Sequence, residues 1–376
     1  MVELLNNTNY SAETTEVFNS LITKVKSIFE TSRVEVEYSG ENIVKARMFY
    51  YKNVPAYLFY QQPLTSIEFY HSNITAIENY AFYNTSLKNF TIPNTVNSIG
   101  NYSFYECPLT NLVIPSNVES IGDSAFCGAN IKTLDIPSNI KSLGSRCFFE
   151  CSSLKTVTLP DTPITLGSDV FARCGLTTFD FPEWLVDIPT QMFYCCYSLR
   201  LSSLPYGIKS IGNGAFQATA CTFTQIPDSV TKIGNSAFVG IPSTTLTIPN
   251  SVTTVGTCLL AGSAKINTLR IYCNLPNSVI SNNSNLNTTL KYVEIGGNVK
   301  PYAFRGCTGL LKVWIRESCT TIETSSASND RPFYNNSNLT IYVETDSKPD
   351  GWDEEFNQIG TSKFATVIYG VKESPF

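Results

Sequence analysis

An apolar residue followed by proline closes eight successive segments of this sequence: Ile92-Pro93, Ile114-Pro115, Ile136-Pro137, Leu159-Pro160, Phe181-Pro182, Leu204-Pro205, Ile226-Pro227 and Ile248-Pro249. Subtracting neighbours gives spacings of 22, 22, 23, 22, 23, 22 and 22 residues. A second marker keeps the same beat at Ile99, Ile121, Leu143, Leu166, Ile188, Ile211, Ile233 and Val255, mostly before a glycine. A third is aromatic, at Phe82, Phe104, Phe126, Phe148, Phe171, Phe193, Phe216 and Phe238, with Leu260 next in line. Three markers locked in phase over eight units exclude chance. A period of this length means a solenoid in which one unit stacks on the next. The 376 residues are therefore not a string of independent globular domains.

Each position has a physical job. In "LKTVTL", residues 154–159, Val157 and Leu159 alternate inward as a strand requires, and Leu154 enters from the preceding turn. Proline ends the strand because it cannot donate to the ladder. The glycine after the isoleucine is expected to allow a tight turn or a positive φ. A small residue before the phenylalanine leaves room for the ring, and stacking piles ring upon ring. Weaker copies extend the array: residues 54–59 mimic 188–193, and residues 299–315 and 331–343 restore the phrase. Residues 274–289 read as an irregular turn, and residues 323–330 as an inserted loop.

Twelve cysteines would suggest disulfides in a short secreted chain. Here Cys107, Cys151, Cys174, Cys196 and Cys307 each lie three residues after the repeated phenylalanine. A cysteine fixed to a repeat position is most simply a small buried apolar group. Paired zinc-ligand spacings are missing, so no metal site is expected.

The phrases "IPDSVTKIGNSAF" (residues 226–238), "IPNSVTTVG" (248–256) and "FRGCTGLLKV" (304–313) resemble the BspA-like class of leucine-rich repeats. The resemblance covers about residues 54–344, and residues 339–357 are similar to the segment that closes such arrays. It implies a right-handed, mostly β solenoid, with short parallel strands on a concave face and turns and short helical segments on a convex face. It also implies a surface or secreted protein of a host-associated microbe, engaged in adhesion and protein binding. The expected division is a cap or anchor over residues 1–45, a solenoid of about twelve units over 46–344, and a closing segment over 345–376.

The first residues are different material. Val17, Phe18, Leu21, Ile22, Val25, Ile28 and Phe29 share one helical face, with Ser11 as an N-cap. This helix, residues 11–30, reads as a cap over the first repeat or as an oligomerising anchor. A strand is expected at 33–38. No basic and apolar leader is visible at the start, and no stretch approaches the ~18 apolar residues of a membrane span. A virion-associated or intracellular place stays open beside the cell surface.

Enzyme constellations are scarce. The sole histidine is His71, the carboxylates are scattered, and no phosphate-binding glycine motif occurs, so neither catalysis nor a cofactor is expected. A net charge of −5 and a pI near 5.2 argue against nucleic acid as a partner. What remains is surface. Two outward columns run along the strands: Thr133, Thr156, Thr178 and their like in one, Asp135, Thr158, Asp180 and their like in the other. The later rungs depart from this threonine and asparagine carpet with Phe223, Arg270, Tyr292, Lys312 and Trp314, which are the candidate ligand-binding residues. Exposed aromatics with a few charges suit an interface with a protein or glycan. The alternatives are that the closing segment with Trp352 folds over Tyr292 and Trp314, or that the chain is a structural part of a larger surface or virion assembly held by its first helix.

Overall fold

The computed structural model describes residues 34–70, 73–275, 286–324 and 331–376. The helix expected over 11–30, His71 and most of the loop expected over 323–330 lie outside the described residues. The chain divides into two compact units, residues 1–175 and 176–376. Both are β-solenoids of the same rung, each with its own parallel sheet of two-residue strands and further strands on a second side.

In the first unit the antiparallel hairpin Val34–Ser39 and Asn42–Phe49 forms a three-stranded sheet with Ser66–Tyr70, which joins in parallel. Later rungs carry the isolated Asn89–Asn111 bridge and a separate parallel pair, Thr133–Asp135 and Thr156–Thr158. The second sheet holds six two-residue strands, Asn53–Val54, Ala76–Ile77, Ser98–Ile99, Ser120–Ile121, Ser142–Leu143 and Thr165–Leu166. In the second unit Asp187–Ile188, Ser210–Ile211, Lys232–Ile233 and Thr254–Val255 repeat that short-strand sheet. The other sheet is longer, running Thr245–Ile248, Thr268–Ile271, Tyr292–Ile295, Lys312–Ile315, Thr340–Val343 and Thr366–Ile368, all parallel. The isoleucine before glycine is thus a strand in its own right, not merely the entry to a turn.

That glycine is required for a reason other than the one expected. None of the Ile-Gly glycines has a positive φ. A Cβ on Gly122 would lie 2.5 Å from Asn101 N and 2.7 Å from Gly100 C, and on Gly234 2.6 Å from Asn213 N. The rungs touch here backbone to backbone, and only hydrogen fits. The residue after glycine locks the contact. Asn101 N donates to Asn79 Oδ1, Asp123 N to Asn101 Oδ1 and Ser145 N to Asp123 Oδ1, at 2.7–2.8 Å. Asn213 and Asn235 repeat the bond in the second unit.

The third side of each rung is a turn, where short helical segments were expected. Left-handed residues recur there, as at Tyr80, Tyr102, Ser124, Arg146 and Asp169 with φ of 52–58°. A right-handed helix cannot pass through such a residue. Among the described residues the one α-helix is Leu286–Thr289.

The core is the phenylalanine column. Phe82, Phe104, Phe126, Phe148 and Phe171 are fully buried, with successive ring centroids 5.0–6.0 Å apart. Phe193, Phe216 and Phe238 stack likewise at 5.5 and 5.9 Å. Each buried ring contributes on the order of 1.5–3 kcal/mol, available only once a neighbouring rung covers it.

The column three residues later is mixed: Ala129 and Ile241 are buried apolar groups there, but several other members are hydrogen-bond donors. Cys107, Cys151 and Cys174 donate Sγ–H to the carbonyls of Phe82, Phe126 and Phe148 in the preceding rung. Ser263 Oγ donates to Phe238 O, and Thr219 Oγ1 to Phe216 O. Asn336 Nδ2 reaches Phe333 O at 2.6 Å. Cysteine here is a small donor that spares a buried carbonyl its desolvation. None of the twelve cysteines, all of them described, forms a disulfide.

Candidate binding surface

The two outward columns hold their register. Thr245, Thr268, Tyr292, Lys312 and Thr340 pair along one, and Thr247, Arg270, Glu294, Trp314 and Tyr342 along the other. In the first unit the corresponding Thr133, Asp135, Thr156 and Thr158 are exposed and polar. The second unit carries the aromatic and cationic side chains on its long sheet.

Phe223 is not part of this surface. Its ring is fully buried, edge-on to Phe216 and Phe238 at centroid distances of 5.1 and 5.8 Å. The chain bends at Thr224, and the rung keeps only the Gln225–Thr247 bridge. The bend reverses the alternation at two positions, sending the ring inward and Thr224 to solvent. Strict period-two reading would have buried a threonine and exposed a phenylalanine, and the hydrophobic effect settles that conflict.

Arg270, Tyr292, Lys312 and Trp314 do converge. Glu294 lies between two guanidinium groups, Arg270 Nε at 3.3 Å and Arg316 Nη1 at 3.0 Å, and accepts a third bond from Tyr272 OH at 2.8 Å. Arg316 also meets Glu344 at 2.9 Å and lies over the Trp314 ring, 4.5 Å from its centroid. Burial, reinforced by the bond to Glu294, pushes the Tyr272 hydroxyl up to about 12. For Glu344 burial alone would raise the carboxyl, but the Glu317 N–H and Arg316 outweigh it and hold it below the usual carboxylate range.

Trp314 is only 4% exposed, because residues 369–376 double back across this face. Gly370 N and Val371 N donate to Thr345 O and Val343 O. Trp314 Nε1 then donates to Val371 O at 3.2 Å, and Lys312 Nζ to Pro375 O at 3.1 Å. The Phe376 ring stacks on Tyr292 at 5.1 Å. The face is covered, but not by Trp352, whose Nε1 donates to Cys319 O instead. Sequence reading missed Tyr342, Arg316 and Glu344. Carrying the outward columns one rung further would have found Tyr342.

A second surface feature also went unread. Tyr57, Tyr80 and Tyr102 stack at 4.7 and 4.9 Å on the turn side of the first unit, and Tyr60, Tyr83 and Tyr105 stack beside them at 4.8 Å. The rungs present these rings in phase, so the spacing of 22–23 residues was the available signal.

No group of His, Cys, Asp and Glu among the described residues is placed to hold a metal ion. No helix among them is long and apolar enough to cross a membrane.

Six copies of the BspA type leucine rich repeat region match the sequence, over residues 52–139, 119–243 and 241–344. The chain belongs to the BspA-type leucine-rich repeat family. Among solved structures, this BspA-type chain is similar to a leucine-rich repeat protein from Bacteroides ovatus, at 20% identity and a TM-score of 0.53. That match covers 87% of this chain and 89% of the other. It is also similar to the pneumococcal vaccine antigen PcpA, at 19% identity and a TM-score of 0.54, over 89% of this chain and 82% of that one. Likeness at this identity establishes a shared fold. No individually curated protein matches.

Proposed function

We propose that this BspA-type chain is a non-enzymatic recognition protein that binds a protein ligand on the outer face of the long sheet of its second unit. One observation carries the reading. That face already holds an extended peptide segment, residues 369–376, through side chains aimed at backbone carbonyls and one aromatic plate. Aromatic and arginine side chains with a polar rim are what protein interfaces select. Membership of the BspA-type family supports a cell-surface or extracellular role in adhesion. The test is capture from a protein and glycan array, with the chain carrying Tyr292→Ala and Trp314→Ala as the comparison. Loss of two aromatic anchors should weaken a protein hit about tenfold or more. Unchanged capture by the double variant would place the ligand elsewhere.

A further inference from the structure

Residues 369–376 are joined to the second unit by main-chain bonds only at their start, Gly370 to Thr345 and Val371 to Val343. Beyond Val371 the segment is held by side chains of the face. Trp314 and Lys312 donate to main-chain carbonyls, and Tyr292 meets the Phe376 ring. Lys372 Nζ returns one bond to Glu344 O at 2.7 Å. Glu373 and Ser374 are exposed, and the Ser374 hydroxyl donates to Phe376 O within the segment at 2.7 Å. The face therefore meets a backbone, one aromatic ring and, between them, the Lys372 ammonium group.

Two features of this packing are unlike a core. The contacts fall on three successive strands, so the segment crosses the strands and does not add one to the sheet. Its residues are exposed or half-buried throughout, whereas Trp314 beneath is buried. The cover is thin and the covered side chain is the better anchor. A tethered segment of a few residues competes at an effective concentration near the millimolar range, which a modest external ligand can match.

We infer, resting on the protein-binding reading above, that residues 369–376 are a resident pseudo-ligand, and that a partner protein docks by displacing them with an extended segment of the same chemistry. That segment carries, five residues beyond the carbonyl that Trp314 Nε1 meets, a proline-preceded aromatic ring over Tyr292. Its main-chain carbonyls accept from Trp314 Nε1 and Lys312 Nζ. Between the anchors it tolerates polar residues.

The test uses the full chain with residues 371–376 replaced by alternating glycine and serine, and a fluorescein-labelled peptide of sequence YGVKESPF. The peptide should bind the replaced chain at least tenfold more tightly than the native chain. Phe376→Ala in the native chain should give an intermediate value. Replacement should also shift the emission of Trp314, isolated as the difference from Trp314→Phe, to longer wavelength. A scrambled peptide, or one with its phenylalanine changed to alanine, should not bind. Failure of the peptide to bind a replaced chain that keeps its native circular dichroism and melting point overturns the inference. So does a concentration-dependent dimer of the native chain that the replacement abolishes, because the segment would then be exchanged between copies. Peptide binding that is lost with Tyr292→Ala, while array capture is unaffected, would uphold the groove and refute the proposed ligand face.

Discussion

Replacing Gly234 with alanine should destabilise the second unit, because it puts a methyl group where two rungs touch backbone to backbone. The new Cβ would sit 2.5 Å from Asn213 Oδ1, 2.6 Å from Asn213 N and 2.8 Å from Gly212 C. Ordinary contact begins near 3.4 Å, so three atoms are too close by 0.6–0.9 Å, and two of them are backbone. Relief requires the rung to lift from its neighbour. It is held there by Gly234 N to Ile211 O and Asn235 N to Asn213 Oδ1, both 2.8 Å. Overpacking costs about 1–3 kcal/mol, and two weakened hydrogen bonds about 1 kcal/mol each. Against this stands a gain of about 0.4–1 kcal/mol from a stiffer unfolded chain. The net is a loss of about 2–4.6 kcal/mol. Gly240 is the internal control. It has a φ of +75°, and its Cβ would meet nothing nearer than 3.7 Å. Gly240→Ala should therefore cost only the left-handed backbone penalty of about 1–2 kcal/mol, less the same entropic gain. Urea unfolding followed by circular dichroism measures both, with the m-value checking that the same surface unfolds. A Gly234→Ala loss no larger than that of Gly240→Ala would refute the close-approach account.

Three further outcomes follow from the same structure. Iodoacetamide at pH 8 should label Cys258, the one half-exposed cysteine, well before the others. Burial raises Cys107 and Cys273 to about 11 and Cys127, Cys307 and Cys319 to about 12, which lowers their thiolate fraction about a hundredfold or more; mass spectrometry of tryptic peptides reads the order. Phenolate absorbance should reveal a late class of tyrosines, since burial first and neighbouring groups second lift Tyr83, Tyr105 and Tyr272 to about 12; Tyr83→Phe should remove one such group without touching the main transition. Glu344 has a lowered folded pKa, so its stabilising effect is complete above the ordinary carboxylate value and is lost as pH falls through the folded one; Glu344→Gln should flatten the acid limb of the urea midpoint measured between about pH 5 and 3.

Much of the rung was legible because it is written many times. The phenylalanine ladder, the inward Val157 and Leu159 and the outward register of Tyr292, Lys312 and Trp314 all follow from spacing and alternation. What escaped was whatever spacing does not encode. Glycine has two uses, and the letter is the same for a left-handed turn and for a backbone contact. Only the neighbouring rung shows which applies. Phe223 misled because a bend can trade two adjacent side chains when one is a ring and the other a threonine. Trp314 was placed on the correct face, but its cover comes from more than fifty residues away, at Val371. No local pattern announces a segment that turns back.

The thiol column has a consequence for where such a chain can live. Cys107, Cys151 and Cys174 perform the task that Ser263 and, through its bond to Phe304 O, Asn336 perform in other rungs, and the bond they donate would be lost on joining another sulfur. Oxidation thus has little to offer this scaffold, and reduction has nothing to break. At these three positions cysteine is a thiol that works as a hydroxyl would, so this column asks for no oxidising surroundings.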